Sequence, residues 1–217
     1  MERFRSAFSL IETLVAVGVI ITLAALTLGV WSRISGKLLA TRALNNLRQI
    51  GVASSVYAGE HDGSFPGSAH SADSWVAGLL PYVGLDANSS PDRIKKAYRS
   101  PGDPNKTRLY SYAINDYLLP NPAGAKNLNF SRAGSLTSPS QTLLFSETQK
   151  SYTGSDHFHF AYGYAPSAFL SMVAADRYSG EGIYLFADFH VEKLQWTDVQ
   201  QRLTASGSRL IHPGGNP

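Results

Sequence analysis

Glu12 is the residue whose position in the sequence most requires a chemical partner. It is followed by twenty uncharged, mostly apolar residues, 13–32. A helix of that length and composition is long enough to cross a bilayer. A carboxylate in the apolar layer costs about 2.5–3.5 kcal/mol at the centre of such a helix and less near its end. We therefore expect Glu12 to have a cationic partner.

The histidines near residue 157 form a second group that could do chemistry. His157 and His159 alternate, so they share one face of a predicted strand, and Asp156 and His190 are the companions that could complete a site. Imidazoles on one face can bind zinc. The strand is rich in aromatic residues, however, and histidines flanking a core phenylalanine are more typical of surface or hydrogen-bonded positions. We predict no metal here.

The remaining candidate residues lack the spacing of known sites. Asp176, Glu181 and Asp188 offer oxygen ligands for calcium, but not with the regular spacing of a twelve-residue calcium loop. Ser146 and Glu147 end a predicted strand without the Gly-x-Ser-x-Gly elbow of a serine hydrolase. We predict that the protein is not an enzyme and holds no cofactor, with calcium near Asp188 as the alternative.

The composition is that of one folded domain behind an apolar N-terminal segment. The chain has 217 residues, of which 43 % are hydrophobic and 11 % aromatic. The net charge is only +3 and the basic residues form no block, so we predict no nucleic-acid partner. The chain has no cysteine, which excludes disulfides and thiolate metal sites.

The element that must position Glu12 is a long N-terminal helix, predicted from Phe8 to about Ala58. Its length would be roughly 75 Å at 1.5 Å per residue. Residues 59–66, which contain two glycines and a proline, end it. Beyond residue 32 an apolar stripe recurs at helical spacing, at Leu39, Ala43, Leu47, Ile50 and Tyr57.

The sequence after the long helix predicts short helices and strands. Helices are predicted at 74–83 and 91–98, and a last one at about 197–205 behind a capping box formed by Thr197 and Gln200. One long helix, a loop-rich insert and then strands make an α+β fold. The predicted strands, of which the last two form a hairpin, are 108–115, 141–146, 156–164, 183–187 and 191–195.

The N-terminal residues resemble the signal of type IV prepilins and of the pseudopilins of type II secretion. Residues 5–17 read RSAFSLIETLVAV. The resemblance implies that a prepilin peptidase cuts between Ala7 and Phe8 and methylates the new amine of Phe8. It also implies that the N-terminal amine of a neighbouring subunit neutralises the carboxylate of Glu12. Ala7 stands where that signal usually has glycine.

Further segments resemble one large subfamily of prepilin-type proteins. That subfamily has a Cys-Pro-Ser-Asp-Pro turn where residues 100–104 here read SPGDP, and a Pro-Ser-strand-Glu segment similar to residues 139–147. Near the C-terminus it has a histidine, nine residues and then Asp-Gly-His. Here Tyr178 replaces that histidine, Phe189 replaces the glycine, and Ser100 replaces the cysteine of the turn. These departures disfavour a ligand role for the aspartate of the motif.

The resemblance implies a pilin-like fold, in which a long N-terminal transmembrane helix packs on an antiparallel β-sheet with a loop-rich insert. The predicted parts are a leader (residues 1–7), a transmembrane half-helix (8–32), an amphipathic half-helix (33–58) and a periplasmic globular domain (59–217).

These features predict a structural subunit, a pseudopilin or pilin-like protein, of a type II secretion or type IV pilus-related filament. Its implied partners are the prepilin peptidase, which is also the N-methyltransferase, other pilin-like subunits and the bacterial inner membrane, which it crosses once. Two alternatives remain. One is a membrane-anchored extracytoplasmic binding or enzymatic domain that does not polymerise, and the other is an ordinary signal-anchored periplasmic protein.

Overall fold

The computed structural model describes residues 9–70, 74–119, 129–153, 155–158 and 165–216, and the side chains of residues 27–33 lie outside this description. The predicted leader and Phe8 therefore lie outside the described residues. The chain forms two compact units, Met1–Leu38 and Leu39–Pro217. Helix α1 (Leu10–Glu60) contains 51 residues.

Within the second unit, α1 buries one side against the sheet. Ala43, Leu47 and Ile50 of the predicted stripe are fully buried. Gly51 permits a close approach, because a Cβ at this position would lie 2.9 Å from Cδ1 of Leu185. The helix ends at the predicted glycines, where the N–H of Gly63 donates to a carbonyl of the last helical turn (2.8 Å).

Five strands form one sheet: β1 (Tyr112–Asn115), β2 (Leu143–Glu147), β3 (His157–Phe158), β4 (Glu181–Phe186) and β5 (Val191–Gln195). Their order across the sheet is β3-β1-β2-β4-β5. Three of the pairings are antiparallel, but β3 is parallel to β1. The predicted antiparallel sheet is therefore wrong at this edge. β3 runs opposite to β2 and hence parallel to β1, because β1 lies between these two strands in the sheet and is antiparallel to β2.

Both faces of the sheet are covered. On one face, Ile114 and Phe145 pack with Trp75 of helix α2 (Trp75–Gly78) and with α1. On the other face, Tyr184 and Phe186 pack with helices α4 (Pro166–Met172) and α5 (Trp196–Thr204). Every residue of β1 and β2 is buried as a result. Strands covered on both faces read as apolar runs and not as alternating patterns.

The predicted β4–β5 hairpin is confirmed, and Phe189 lies in its turn. Phe189 has φ +69°, a conformation that bulky residues rarely adopt and that glycine adopts readily. Its ring lies beside that of Phe65, with centroids 6.1 Å apart. Contacts with the core therefore hold a phenylalanine in the conformation for which the resembled motif uses glycine.

The short helices agree with the sequence where their start signals are local. Helix α3 (Pro91–Tyr98) has the predicted bounds. Helix α5 has Gln195 as its N-cap with no side-chain hydrogen bond, so the predicted capping box at Thr197 is wrong. The ring of Trp196 stacks on Phe169 with centroids 5.9 Å apart, and this tertiary contact fixes the first residue of the helix.

Candidate functional site

Glu12 lies in the first turn of α1 and forms a capping box with Ser9. The N–H of Ser9 donates to Oε2 of Glu12 (2.9 Å), and the N–H of Glu12 donates to Oγ of Ser9 (3.2 Å). This reciprocal pair satisfies two N–H groups near a helix start. The predicted cleavage site, Ala7 and Phe8, lies outside the described residues. Glu12 thus has a local role that was not predicted, and its pairing with an amine stays a prediction.

Residues 10–26 of α1 carry apolar side chains on all sides of the helix. Their large apolar side chains are 51–84 % exposed. Glu12 is the single charged residue in this segment. A helix that is apolar all round is normally enclosed by lipid or by other helices.

Within the part of the chain that the structure describes, no helix combines the length and the apolar character of a membrane span.

Glu147, Tyr178 and Ser100 meet in a buried hydrogen-bonded group. The hydroxyl of Tyr178 donates to the Glu147 carboxylate, with distances of 3.0 and 3.1 Å to its two oxygens. It also lies 3.1 Å from the hydroxyl of Ser100. Two positions at which the sequence departs from the resembled motif therefore contact each other around one carboxylate.

Gly102 makes room for the ring of Tyr178. A Cβ at position 102 would overlap the Tyr178 hydroxyl and lie 2.7 Å from its Cε1. The resembled turn has serine at this position and the resembled motif has the smaller histidine at position 178. We interpret Ser100, Gly102 and Tyr178 as one compensated set of changes.

Gly102→Ser is expected to destabilise the protein by about 1–3 kcal/mol, because its side chain overlaps the ring of Tyr178 at this part-buried position. Each kcal/mol lowers the melting temperature by about 2–4 °C in a domain of this size. Adding Tyr178→His is expected to recover most of the loss. Gly134→Ser is the matched control, since a Cβ there meets nothing within 4 Å. A double variant no more stable than Gly102→Ser would refute the compensation.

Two arginines balance the carboxylates of this core. Arg177 donates from Nη1 to Oε2 of Glu147 (2.8 Å) and from Nη2 to the carbonyl of Thr148 (2.6 Å). The Nε of Arg108 lies 3.1 Å from Oδ2 of Asp103. Burial raises the pKa of Glu147 above its ordinary value, although Arg177 counteracts this. Burial also lowers the pKa of Arg108. The paired charges and their burial are those of a structural core.

In the described part of the chain, most of the other candidate residues are buried or paired with neighbouring side chains. Ser146 and Glu147 are at most 1 % exposed, so a substrate cannot reach the serine. In the β4–β5 turn the imidazole of His190 bonds to Asp188, while Glu181 pairs with Lys193. Asp188 and Glu181 are therefore paired with two different side chains.

A different cluster brings metal-ligating side chains together: His70, Asp116 and His157. Among the described residues it is the single group of at least three such side chains, and its ligand atoms all lie within 4.8 Å of one another. Nδ1 of His70 is 2.9 Å from Oδ2 of Asp116. The imidazole centroids of His70 and His157 are 4.1 Å apart.

One of the three residues of this cluster, His157, was singled out from the sequence. It was considered together with Asp156, whose Oδ1 lies 2.8 Å from Nδ1 of His157. Of the expected companions, His159 lies outside the described residues and His190 lies in the β4–β5 turn. His70 and Asp116 were missed, because they are 46 residues apart and only the tertiary fold joins them.

Comparison with known protein families, with curated proteins and with solved structures found no match to this chain.

Proposed function

We propose that the protein is a pilin-like structural subunit, a pseudopilin of a type II secretion or type IV pilus-related filament. One observation carries the proposal: residues 10–26 form a helix that is apolar on every side and has one carboxylate, Glu12, in its first turn. Side-by-side packing of such helices in lipid or in a filament encloses the apolar surface. If the carboxylate of Glu12 pairs with a cation on a neighbouring subunit, this pair fixes the position of the two helices relative to each other.

The cation is the processed N-terminus of a neighbouring subunit. A prepilin peptidase cuts between Ala7 and Phe8 and methylates the amine of Phe8. Ser9 and Glu12, which cap the helix, both belong to the mature chain, so the cap survives the cut. Burying a carboxylate with a matched ammonium group avoids the much larger penalty of burying either charge alone.

Before assembly, the apolar half of α1 lies in the bacterial inner membrane with the C-terminal domain in the periplasm. A helix over the uncharged residues 13–32 would be about 30 Å long, which matches the thickness of the hydrocarbon layer. The unit Leu39–Pro217 is the outer domain. Its sheet is covered on both faces and its ionic core is closed, so contacts with other subunits involve its surface.

The proposal is tested by co-expressing the full chain with an active or a catalytically inactive prepilin peptidase. We expect only the active peptidase to convert the chain to a shorter, membrane-bound form. Ala7→Leu should block the cut, because the residue before it must be small, and Ala7→Gly should speed it. If neither the wild-type chain nor Ala7→Gly is converted, the proposal is wrong.

A further inference from the structure

The His70–Asp116–His157 cluster joins three separate parts of the fold. His70 belongs to the insert that follows α1, Asp116 directly follows β1, and His157 begins the edge strand β3. The side chains of Asp116 and His157 are 3 % and 8 % exposed, whereas that of His70 is 52 % exposed. Two of the three ligand groups, Asp116 and His157, are therefore buried, and the third, His70, is accessible to solvent.

Asp156 forms hydrogen bonds with His157 and with residues close to His70. Its Oδ1 faces Nδ1 of His157 (2.8 Å) and accepts the N–H of Ala69 (3.1 Å), while its Oδ2 accepts the hydroxyl of Ser74. The Asp156–His157 contact thus joins a buried carboxylate to the imidazole of the cluster. Metal-bound histidines usually make this kind of bond to a carboxylate.

The chemistry of the cluster suits a metal cation. The carboxylates of Asp116 and Asp156 are buried, and they lie 2.9 Å from Nδ1 of His70 and 2.8 Å from Nδ1 of His157. Carboxylate oxygens and imidazole nitrogens are both ligands of zinc.

We propose that His70, Asp116 and His157 bind one zinc ion, with water as the fourth ligand and Asp156 as the outer partner of His157. Two imidazoles and one carboxylate form the usual ligand set of zinc sites that keep an open position. Ligands at about 2.0–2.2 Å from a tetrahedral zinc are about 3.4 Å apart. The ligand atoms lie within 4.8 Å of one another, so the wider of their separations must shorten when zinc binds.

Zinc at this position ties the insert after α1 to the edge of the sheet. In the described part of the chain, β3 comprises His157 and Phe158 and pairs with β1 at two residue pairs, and a metal bridge adds a contact beside this pairing. The site does not depend on the proposed filament role.

The test is a zinc titration of the full chain without a histidine tag, purified in detergent micelles and stripped with a chelator. Calorimetry is expected to give one zinc per chain, and Co²⁺ in place of zinc should give the visible spectrum of a four-coordinate ion. His70→Ala should weaken zinc binding at least tenfold with little risk to the fold, because this side chain is half exposed. Asp156→Asn keeps the three ligands and should weaken binding about 10- to 100-fold.

His190→Ala is the matched control, since His190 is another part-exposed histidine bonded to an aspartate. It should leave zinc affinity unchanged. As a second readout, zinc should raise the melting temperature of the wild type and of His190→Ala but not of His70→Ala. The proposal is overturned if the wild type binds no zinc. It is also overturned if His70→Ala and His190→Ala weaken binding equally, which would mark adventitious binding to surface imidazoles.

Discussion

Glu12→Gln is expected to abolish incorporation of the subunit into filaments while leaving its membrane insertion intact. Glutamine supplies no negative charge for the amine of a neighbouring Phe8, and leaving one member of a buried charge pair alone costs about 3–5 kcal/mol. That corresponds to more than a hundredfold in an association constant. The measurement compares the fraction of subunit that sediments with sheared filaments and the fraction found in membranes.

Glutamine at position 12 keeps the helix cap but removes the charge, so this variant tests the charge of Glu12 apart from its capping role. A capping box accepts either Glu or Gln at this position, so the bond from the N–H of Ser9 is retained. Ser9→Ala is the opposite control: it weakens the helix start by about 0.5–2 kcal/mol but keeps the carboxylate, and it should assemble. Normal assembly of Glu12→Gln would show that the amine pairing is wrong. Failure of Glu12→Ala alone would then assign Glu12 to the cap.

Arg177→Met is expected to lower the free energy of unfolding by about 3–5 kcal/mol, because it leaves Glu147 buried without its cation. The two side chains are 8 % and 1 % exposed and lie 2.8 Å apart. Lys193→Met is the matched control, since it removes the cation of an ion pair with Glu181 whose side chains are 40 % and 22 % exposed. The control should cost at most about 1 kcal/mol. Denaturant unfolding of the full chain in micelles measures both.

The double variant Arg177→Met/Glu147→Gln should cost less than the sum of its two single variants. A neutral glutamine no longer requires the guanidinium, so the two substitutions are coupled. Equal losses for Arg177→Met and Lys193→Met would show that the buried pair contributes no more than a surface pair.

Elements with local signals were predicted close to their observed bounds. Helix α3 starts at a proline that follows a serine, and a start of that kind is set by nearby residues alone. Strand β5 agrees residue for residue with the predicted 191–195, and none of its five residues is fully buried. Helix α1 ends at Glu60, two residues beyond the prediction.

Elements whose ends depend on tertiary contacts were predicted less well. The predicted strand 108–115 is a strand only from Tyr112. The guanidinium of Arg108 donates to the carbonyls of Gln149 and Lys150. Arg108, which the sequence placed in the strand, therefore takes part in the ionic core instead. The predicted strand 156–164 includes β3, but the parallel pairing of β3 with β1 has no local signal. The indole N–H of Trp75 helps to place this strand by donating to the carbonyl of Asp156 (2.7 Å).

The candidate sites also differ in whether local sequence or tertiary contacts bring their residues together. The carboxylate of Glu12 is conspicuous in sequence because an apolar run surrounds it, and its capping partner lies three residues away. The partners of Tyr178 come from distant segments: Ser100 is 78 residues earlier and Glu147 is 31 residues earlier. No periodicity or short motif links such residues, so their contacts required the folded structure.

The most direct measurement is the intact mass and N-terminal residue of the chain recovered from membranes, with and without a co-expressed prepilin peptidase. We predict a peptidase-dependent chain that lacks residues 1–7 and begins with N-methylated Phe8. A chain that keeps Met1 beside an active peptidase would contradict this, because Glu12 would then have no N-terminal amine to pair with. A chain that begins near Ala24 or Ala25 would contradict it equally, because Glu12 would have been removed.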